Sequence, residues 1–261
     1  MYIFRFSSIN INILSKKTIS PRREAVNFEN EVDNFNKSND WLFGVGSKLK
    51  TPFYFNENHR QFYDCLKSST TKMAFVDGPA GTMKTYIAVY AALEMIYDSL
   101  YDKLIYIRSV AESAQKSLGS LPGEVDDKFL PYAMPLLEKV QEITNNSTSN
   151  MLRQRGVIEA IPVNFVRGLT FNKSIVIVDE AQNLTKGELT TILTRFGRNS
   201  KYIIAGDCQQ ADIGNKTGFK DIFNKFNKDE SVEKGIYSFK FSTSEIMRSK
   251  ILKYICATLG S

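Results

Sequence analysis

Histidine is almost absent: the 261-residue chain holds one, His59. A histidine-based metal centre or a Ser-His-Asp type triad is therefore hard to assemble. Cysteine is scarce as well. Cys65, Cys208 and Cys256 are scattered and odd in number, without the paired spacing of a zinc site or a disulfide framework, which points to a reducing compartment. No apolar run approaches the roughly 20 residues that a membrane span needs. The stretch from Met1 to Ile13 mixes apolar residues with Arg5, Ser7, Ser8 and Asn10, and it lacks the basic start and clean apolar core of a secretory signal. A cytoplasmic protein with no membrane partner is the expectation. The chain also has no arginine-rich tract, no RRM-like aromatic signature and no internal repeat, so its residues alone do not identify a nucleic-acid reader.

What is present suits a large α/β core. Hydrophobic residues make up 43% of the chain, enough at this length for one sizeable domain with appendages. Lys and Arg number 34 against 28 Asp and Glu, a formal charge of +6. That excess is compatible with a polyanionic partner and does not specify one.

Residues 75–85 read Phe-Val-Asp-Gly-Pro-Ala-Gly-Thr-Met-Lys-Thr, an apolar strand entering a Gly-rich turn at the start of a helical run. Such a turn, formed by Gly78, Pro79, Ala80, Gly81, Thr82 and Met83, wraps phosphates with backbone N–H groups. The helix N-terminus adds its dipole, Lys84 reaches the β- and γ-phosphates, and Thr85 ligates magnesium. Met83 stands where the second glycine of a P-loop belongs. A β-branched run from Ser174 to Val178 then ends in Asp179-Glu180-Ala181-Gln182, the pattern of a Walker B strand. Carboxylates at that edge lie beside the phosphate crevice, where Asp179 holds magnesium and Glu180 activates water. An acidic pair at a strand end also serves simply to cap a helix. A third strand, Lys201–Ala205, runs into Gly206-Asp207-Cys208-Gln209-Gln210. Gln210 there is a candidate sensor, able to hydrogen-bond both the terminal phosphate and the attacking water.

Around these elements lie Ser117-Leu118-Gly119-Ser120-Leu121-Pro122-Gly123-Glu124, Lys128, Pro131-Tyr132, Arg167-Gly168-Leu169-Thr170, Leu193-Thr194-Arg195 and Asp212. Together with the phosphate motifs they resemble PhoH-like ATPases, a family related to superfamily 1 helicases, over roughly residues 56 to 257. The departures are Met83 for glycine and Leu169 where the family usually has a second arginine. The resemblance implies a P-loop NTPase of RecA-like type, an α/β fold with a mainly parallel sheet covered by helices. It also implies ATP and Mg2+ as cofactors, RNA or single-stranded nucleic acid as partner, and a homo-oligomer, a hexameric ring being one form. By the same carry-over Gln61 is placed against adenine, and Arg248 is the first choice for an arginine finger, with Arg167 and Arg195 as alternatives. Arg108 falls where superfamily 1 enzymes contact nucleic acid or phosphate. Three functions stay open: an RNA-stimulated ATPase or helicase, a nucleotide-gated oligomeric scaffold that hydrolyses weakly, and a small-molecule P-loop kinase.

Along the chain, residues 1–50 are polar and weakly periodic and form an N-terminal extension. The ATPase domain is expected over 51–261, with an insertion at about 113–172 that offers oligomer or nucleic-acid contacts. Strands are predicted at 73–77, 104–108, 175–179, 201–205 and about 236–241, and helices near 84–97, 127–143, 186–196, 217–228 and 244–257. The run Asn145-Asn146-Ser147-Thr148-Ser149-Asn150 reads as a loop.

Overall fold

The computed structural model describes residues 49, 56–109, 125–247 and 250–259. The Leu-Pro-Gly-Glu segment and Arg248 fall outside the described residues. Helix α1 (Glu57–Lys67) starts where the Asn56 side chain accepts a hydrogen bond from the His59 N–H, and it buries His59, Phe62 and Leu66 along one stripe. Strand β1 (Met73–Asp77) is buried throughout. Helix α2 (Lys84–Tyr97) follows the glycine-rich turn and hides ten of its residues, as a helix wedged between a sheet and two other helices must. Strand β2 (Lys103–Arg108), helix α3 (Val125–Ile143), helix α4 (Asn146–Gln154) and strand β3 (Ile158–Pro162) come next. Then follow β4 (Ser174–Asp179), α5 (Lys186–Leu193), β5 (Lys201–Gly206), α6 (Phe219–Phe226), α7 (Asp229–Glu233), β6 (Ile236–Lys240) and α8 (Lys250–Leu259).

The six strands form one sheet in the order β3-β2-β4-β5-β1-β6, and every neighbouring pair is parallel. Strands β1, β4 and β5 are buried on both faces, which explains their unbroken apolar sequences. One face packs Phe75, Ile107, Val178 and Ile204 against Leu189, Ile192 and Phe219 of the following helices, with Val163, Val166 and Phe171 of the β3–β4 crossover. Parallel pairing places all the C-terminal strand ends on one edge. Register sets Asp77 beside Gly206, and Arg108 beside Asp179.

Three sequence-based expectations are corrected. The Asn145–Asn150 run is the start of α4: the Asn145 side chain accepts from the Thr148 N–H at 2.9 Å, and Thr148, Ser149 and Leu152 are buried. Asn and Ser that resemble a loop by composition act here as a cap and a first turn. Strand β3 escaped notice because an edge strand of five residues with an exposed Glu159 carries little periodicity. The closing helix is broken: Thr243–Glu245 is a 3-10 turn with a Ser242–Glu245 capping box, and α8 begins only at Lys250. Among the described residues no helix is long and apolar enough to cross a membrane.

Lys201 is 1% exposed. Its ammonium donates to the carbonyls of Leu66 and Ser68, the second at 2.8 Å, and so closes the C-terminal end of α1. Burial lowers its pKa to about 8. Between that value and the ordinary one near 10.5 the unfolded chain binds more protons, so this group makes stability rise with pH there. Lys201→Met is expected to cost about 1–3 kcal/mol at neutral pH, the cost of leaving buried carbonyls unpaired. The gap to wild type should widen from pH 8 to 10 in urea melts. A constant gap would remove the titration from the account.

Candidate nucleotide site

The loop after β1 is tightly constrained before any ligand is considered. A Cβ on Gly78 would lie 2.7 Å from Phe241 Cβ, so only glycine fits where the chain passes beneath the end of β6. Gly81 has φ 82°. Met83 has φ 62° and ψ 15° and precedes α2 without a side-chain cap. It therefore holds the left-handed geometry that glycine adopts without strain, at a cost of order 1–2 kcal/mol. The loop's path is kept despite the substitution. Met83→Gly is accordingly expected to leave ATP turnover within roughly threefold of wild type, because the strain relieved is offset by the entropy glycine loses. A gain of roughly tenfold or more, about 1.4 kcal/mol, would favour the weakly hydrolysing scaffold.

Other parts of the chain hold this loop from outside. His59, buried on α1, places Nε2 3.0 Å from the Thr82 carbonyl, and burial lowers its pKa, opposed by Thr82 and Glu245. The Met247 N–H donates to the Gly81 carbonyl at 3.2 Å. Asn58 Nδ2 donates to Glu245 Oε1 at 2.8 Å. Burial alone would raise the Glu245 pKa, but hydrogen bonds from Ser242, Asn58 and Ser244 outweigh it and bring it down to about 2. Sequence reasoning gave His59 no role. Its place in the His59–Phe62–Leu66 stripe was the available signal.

A cleft of about 730 Å3 opens over the loop. The walls bring together Ala80, Gly81, Thr82, Met83, Lys84 and Thr85 from the loop and α2, Asp179 and Glu180 from β4, and Asp207 and Gln210 after β5. Lys84 Nζ donates to the Gly78 carbonyl and, at 2.9 Å, to that of Pro79. Burial lowers its pKa, while Asp207, Asp179, Glu180 and Asp77 pull the other way. Thr85 Oγ1 donates to Asp179 Oδ1 at 2.7 Å, and the buried Tyr106 hydroxyl donates to Asp179 Oδ2 at 2.6 Å. Burial and the Asp179 charge hold that phenol protonated, well above its ordinary pKa. Tyr106, on β2, was invisible as a site residue in the sequence because nothing local marks it.

Glu180 has φ 51°, a turn that swings its side chain off the strand direction. Its Oε2 accepts from Gln182 Nε2 at 2.5 Å, and Gln182 Oε1 accepts the Asp207 N–H at 3.0 Å, so Gln182 ties β4 to β5. Asp207 is buried, and its Oδ2 has no hydrogen-bond partner among the described residues. Asn183 and Asp212 pair reciprocally at 2.7 and 2.9 Å behind the cleft. Gln61 is elsewhere. It is exposed on α1 and donates to Glu57 at 3.1 Å. Arg167 is exposed on the β3–β4 crossover. Arg195, at the end of α5, offers its carbonyl to the Phe171 N–H ahead of β4, at the far edge of the sheet from the cleft. Neither lines the cleft.

A parallel sheet whose P-loop strand, acidic strand and Asp207 strand converge on one edge defines a P-loop nucleotide-binding protein. The model of the family described as PhoH-like protein matches residues 54–259, and the chain belongs to that family. The PhoH-like protein of Bacillus subtilis is 34% identical over 192 residues, covering 73% of this chain and 59% of that protein. The PhoH-like protein of Synechocystis is 40% identical over 143 residues, covering 55% of this chain and 43% of its own length. The chain thus spans about half the length of the curated relatives it matches. Among solved structures, the large terminase of a thermophilic bacteriophage superposes with a TM-score of 0.47 at 12% identity, over 77% of this chain and 49% of the terminase. At that level it adds nothing beyond the sheet already described.

Proposed function

We propose that this chain binds ATP with Mg2+ and hydrolyses it, and that RNA or single-stranded nucleic acid stimulates the turnover. The observation that carries this reading is the convergence of Lys84, Thr85, Asp179, Glu180 and Gln210 on one cleft. In it the loop amides and Lys84 cradle the phosphates. Glu180 takes a proton from the attacking water, and Gln210 orients that water and the terminal phosphate. Thr85 and Asp179 would hold Mg2+, which supplies charge neutralisation on the phosphates when bound. The residues fit it: their oxygens lie 2.7 Å apart, and Asp207 Oδ2, buried in the same cleft, has no hydrogen-bond partner among the described residues. Among the described residues no group of three His, Cys, Asp or Glu could hold a metal by itself.

Nucleic-acid stimulation, a helicase activity and a ring-shaped homo-oligomer belong to this proposal through the family alone. A cytoplasmic location is proposed from the three scattered cysteines, and the division into an extension over 1–50 and an ATPase domain over 51–261 from composition. The test is ATP hydrolysis with Mg2+, with and without single-stranded RNA, beside Glu180→Gln. Stimulation by RNA that the variant lacks supports the motor. ATP binding without turnover would sink it and leave the scaffold.

A further inference from the structure

A second cavity, of about 380 Å3, lies at the opposite edge of the sheet from the nucleotide cleft. The segments entering β1, β2, β4 and β5, four neighbouring strands, build it. Ligands of open α/β sheets bind past the carboxyl ends of the strands, at the other edge, so the nucleotide fold does not call for a cavity here. Lys67, Lys72, Lys173 and Lys201 all line it, and among the described residues no Asp or Glu does. Two of these lysines are committed. Lys201 donates to the carbonyls that end α1, and Lys67 faces Glu94 and Asp98 at 3.6 and 3.1 Å. Lys72 and Lys173 are exposed and carry positive charge to the wall, while Asp102, which interacts with Lys173 and Lys103, stays off it.

Flat and apolar groups complete the walls. Leu100 is 58% exposed and Phe196 37%, and Tyr101 lines the cavity with them. The Phe196 ring is steadied by Tyr202, centroid to centroid 5.0 Å. The backbone that presents Lys173 is held in a costly conformation, with φ 45°, in the left-handed region that non-glycine residues avoid. Its N–H donates to the Arg198 carbonyl at 2.9 Å and its carbonyl accepts the Asp102 N–H at 2.8 Å, so three strand entries are laced together through it. Glycine would take this turn without strain. Lysine brings a charge to it instead. An inorganic anion would use only the lysines, and an apolar ligand only the faces. Point-charge ammoniums for a phosphate backbone, set beside aromatic faces for unpaired bases, are the means by which single strands are bound.

We propose that this cavity takes one nucleotide unit of a single-stranded nucleic acid, its phosphate on Lys72 and Lys173 and its base against Phe196. The volume falls within the range of about 300–1,000 Å3 that small-ligand sites occupy. The site shares no residue with the nucleotide cleft and goes beyond the reading of that cleft, giving the strand invoked there a place on this chain. Strand β1 runs from Lys72 to the phosphate loop, so five residues at about 3.3 Å each, about 17 Å, separate the two sites.

The full chain with Lys72→Ala, Lys173→Gly and Phe196→Ala would be compared with wild type for binding of a short labelled oligo(U) by fluorescence anisotropy, without ATP and over a range of salt. Thermal melts would check folding. Lys173→Gly should melt like wild type, because glycine suits its backbone, and Lys72 is exposed, so the two lysine variants decide the matter even where Phe196→Ala weakens the fold. Each lysine variant is expected to reduce the slope of log affinity against log salt by about 0.7, the contribution of one phosphate contact in a single strand. Phe196→Ala should weaken binding roughly fivefold or more and leave that slope unchanged. Unchanged affinity and slope in both lysine variants overturn the proposal. So does a folded Phe196→Ala that binds like wild type, which would reduce the cavity to an anion site. A wild type that hydrolyses ATP and binds no strand overturns it and leaves the ATP reading standing. Strand binding that these variants lose, with no ATP turnover in wild type, upholds it while the hydrolytic reading fails.

Discussion

Glu180→Gln is expected to lower ATP turnover by roughly 10²- to 10⁴-fold while ATP still binds, the range that a positioned general base supplies. The substitution keeps the shape of the side chain and one acceptor oxygen for Gln182 Nε2, which now donates to Glu180 at 2.5 Å. What it removes is the ability to take a proton. In the proposed site the loop and Lys84 hold the phosphates and residue 180 does not, so affinity should hold within roughly threefold, under about 1 kcal/mol. Initial rates with Mg2+, paired with calorimetric titration of ATP, separate the two effects. Turnover within roughly threefold of wild type would take Glu180 out of the role and move attention to Asp207, whose Oδ2 is buried in the same cleft.

Lys84→Met should act on the other quantity. Truncating one partner of a buried, hydrogen-bonded charge pair costs about 2–5 kcal/mol, which corresponds to a loss of ATP affinity of roughly 30-fold to several thousandfold. Two features of this chain set the size. Lys84 is desolvated, and Asp207, Asp179, Glu180 and Asp77 surround it. Without the ammonium those carboxylates repel an incoming triphosphate, so the variant loses an attraction and exposes a repulsion. Methionine keeps the aliphatic stem, which separates charge from packing. Affinity within roughly threefold of wild type would show that the loop amides alone hold the phosphates. A lower melting temperature without an affinity change would assign Lys84 to stapling the Gly78 and Pro79 carbonyls.

The phosphate loop, the acidic strand and the strand ahead of Asp207 were legible in the sequence because their signals are local. A β-branched run buried on both faces, or a glycine turn leading into a helix start, is complete within about a dozen residues. Even the departure at Met83 was legible as a departure. Its consequence was not, since φ 62° is set by how the loop is held from His59, Phe241 and Met247. Composition misled at Asn145, where a cap resembles a loop. Gln61, placed against adenine by carry-over, is exposed on α1 beside Glu57.

By itself the sequence determined an α/β chain with a P-loop, an acidic strand end and the family to which both belong. Those follow from backbone propensity and short-range pattern. The tertiary structure decided strand order, with β5 between β1 and β4, and with it which distant side chains meet. Tyr106 on Asp179, Gln182 between Glu180 and Asp207, and Arg108 beside Glu180 all join residues from different strands. The physical reason is that crossover connections choose neighbours in a parallel sheet, and side chains converge only after that choice has been made.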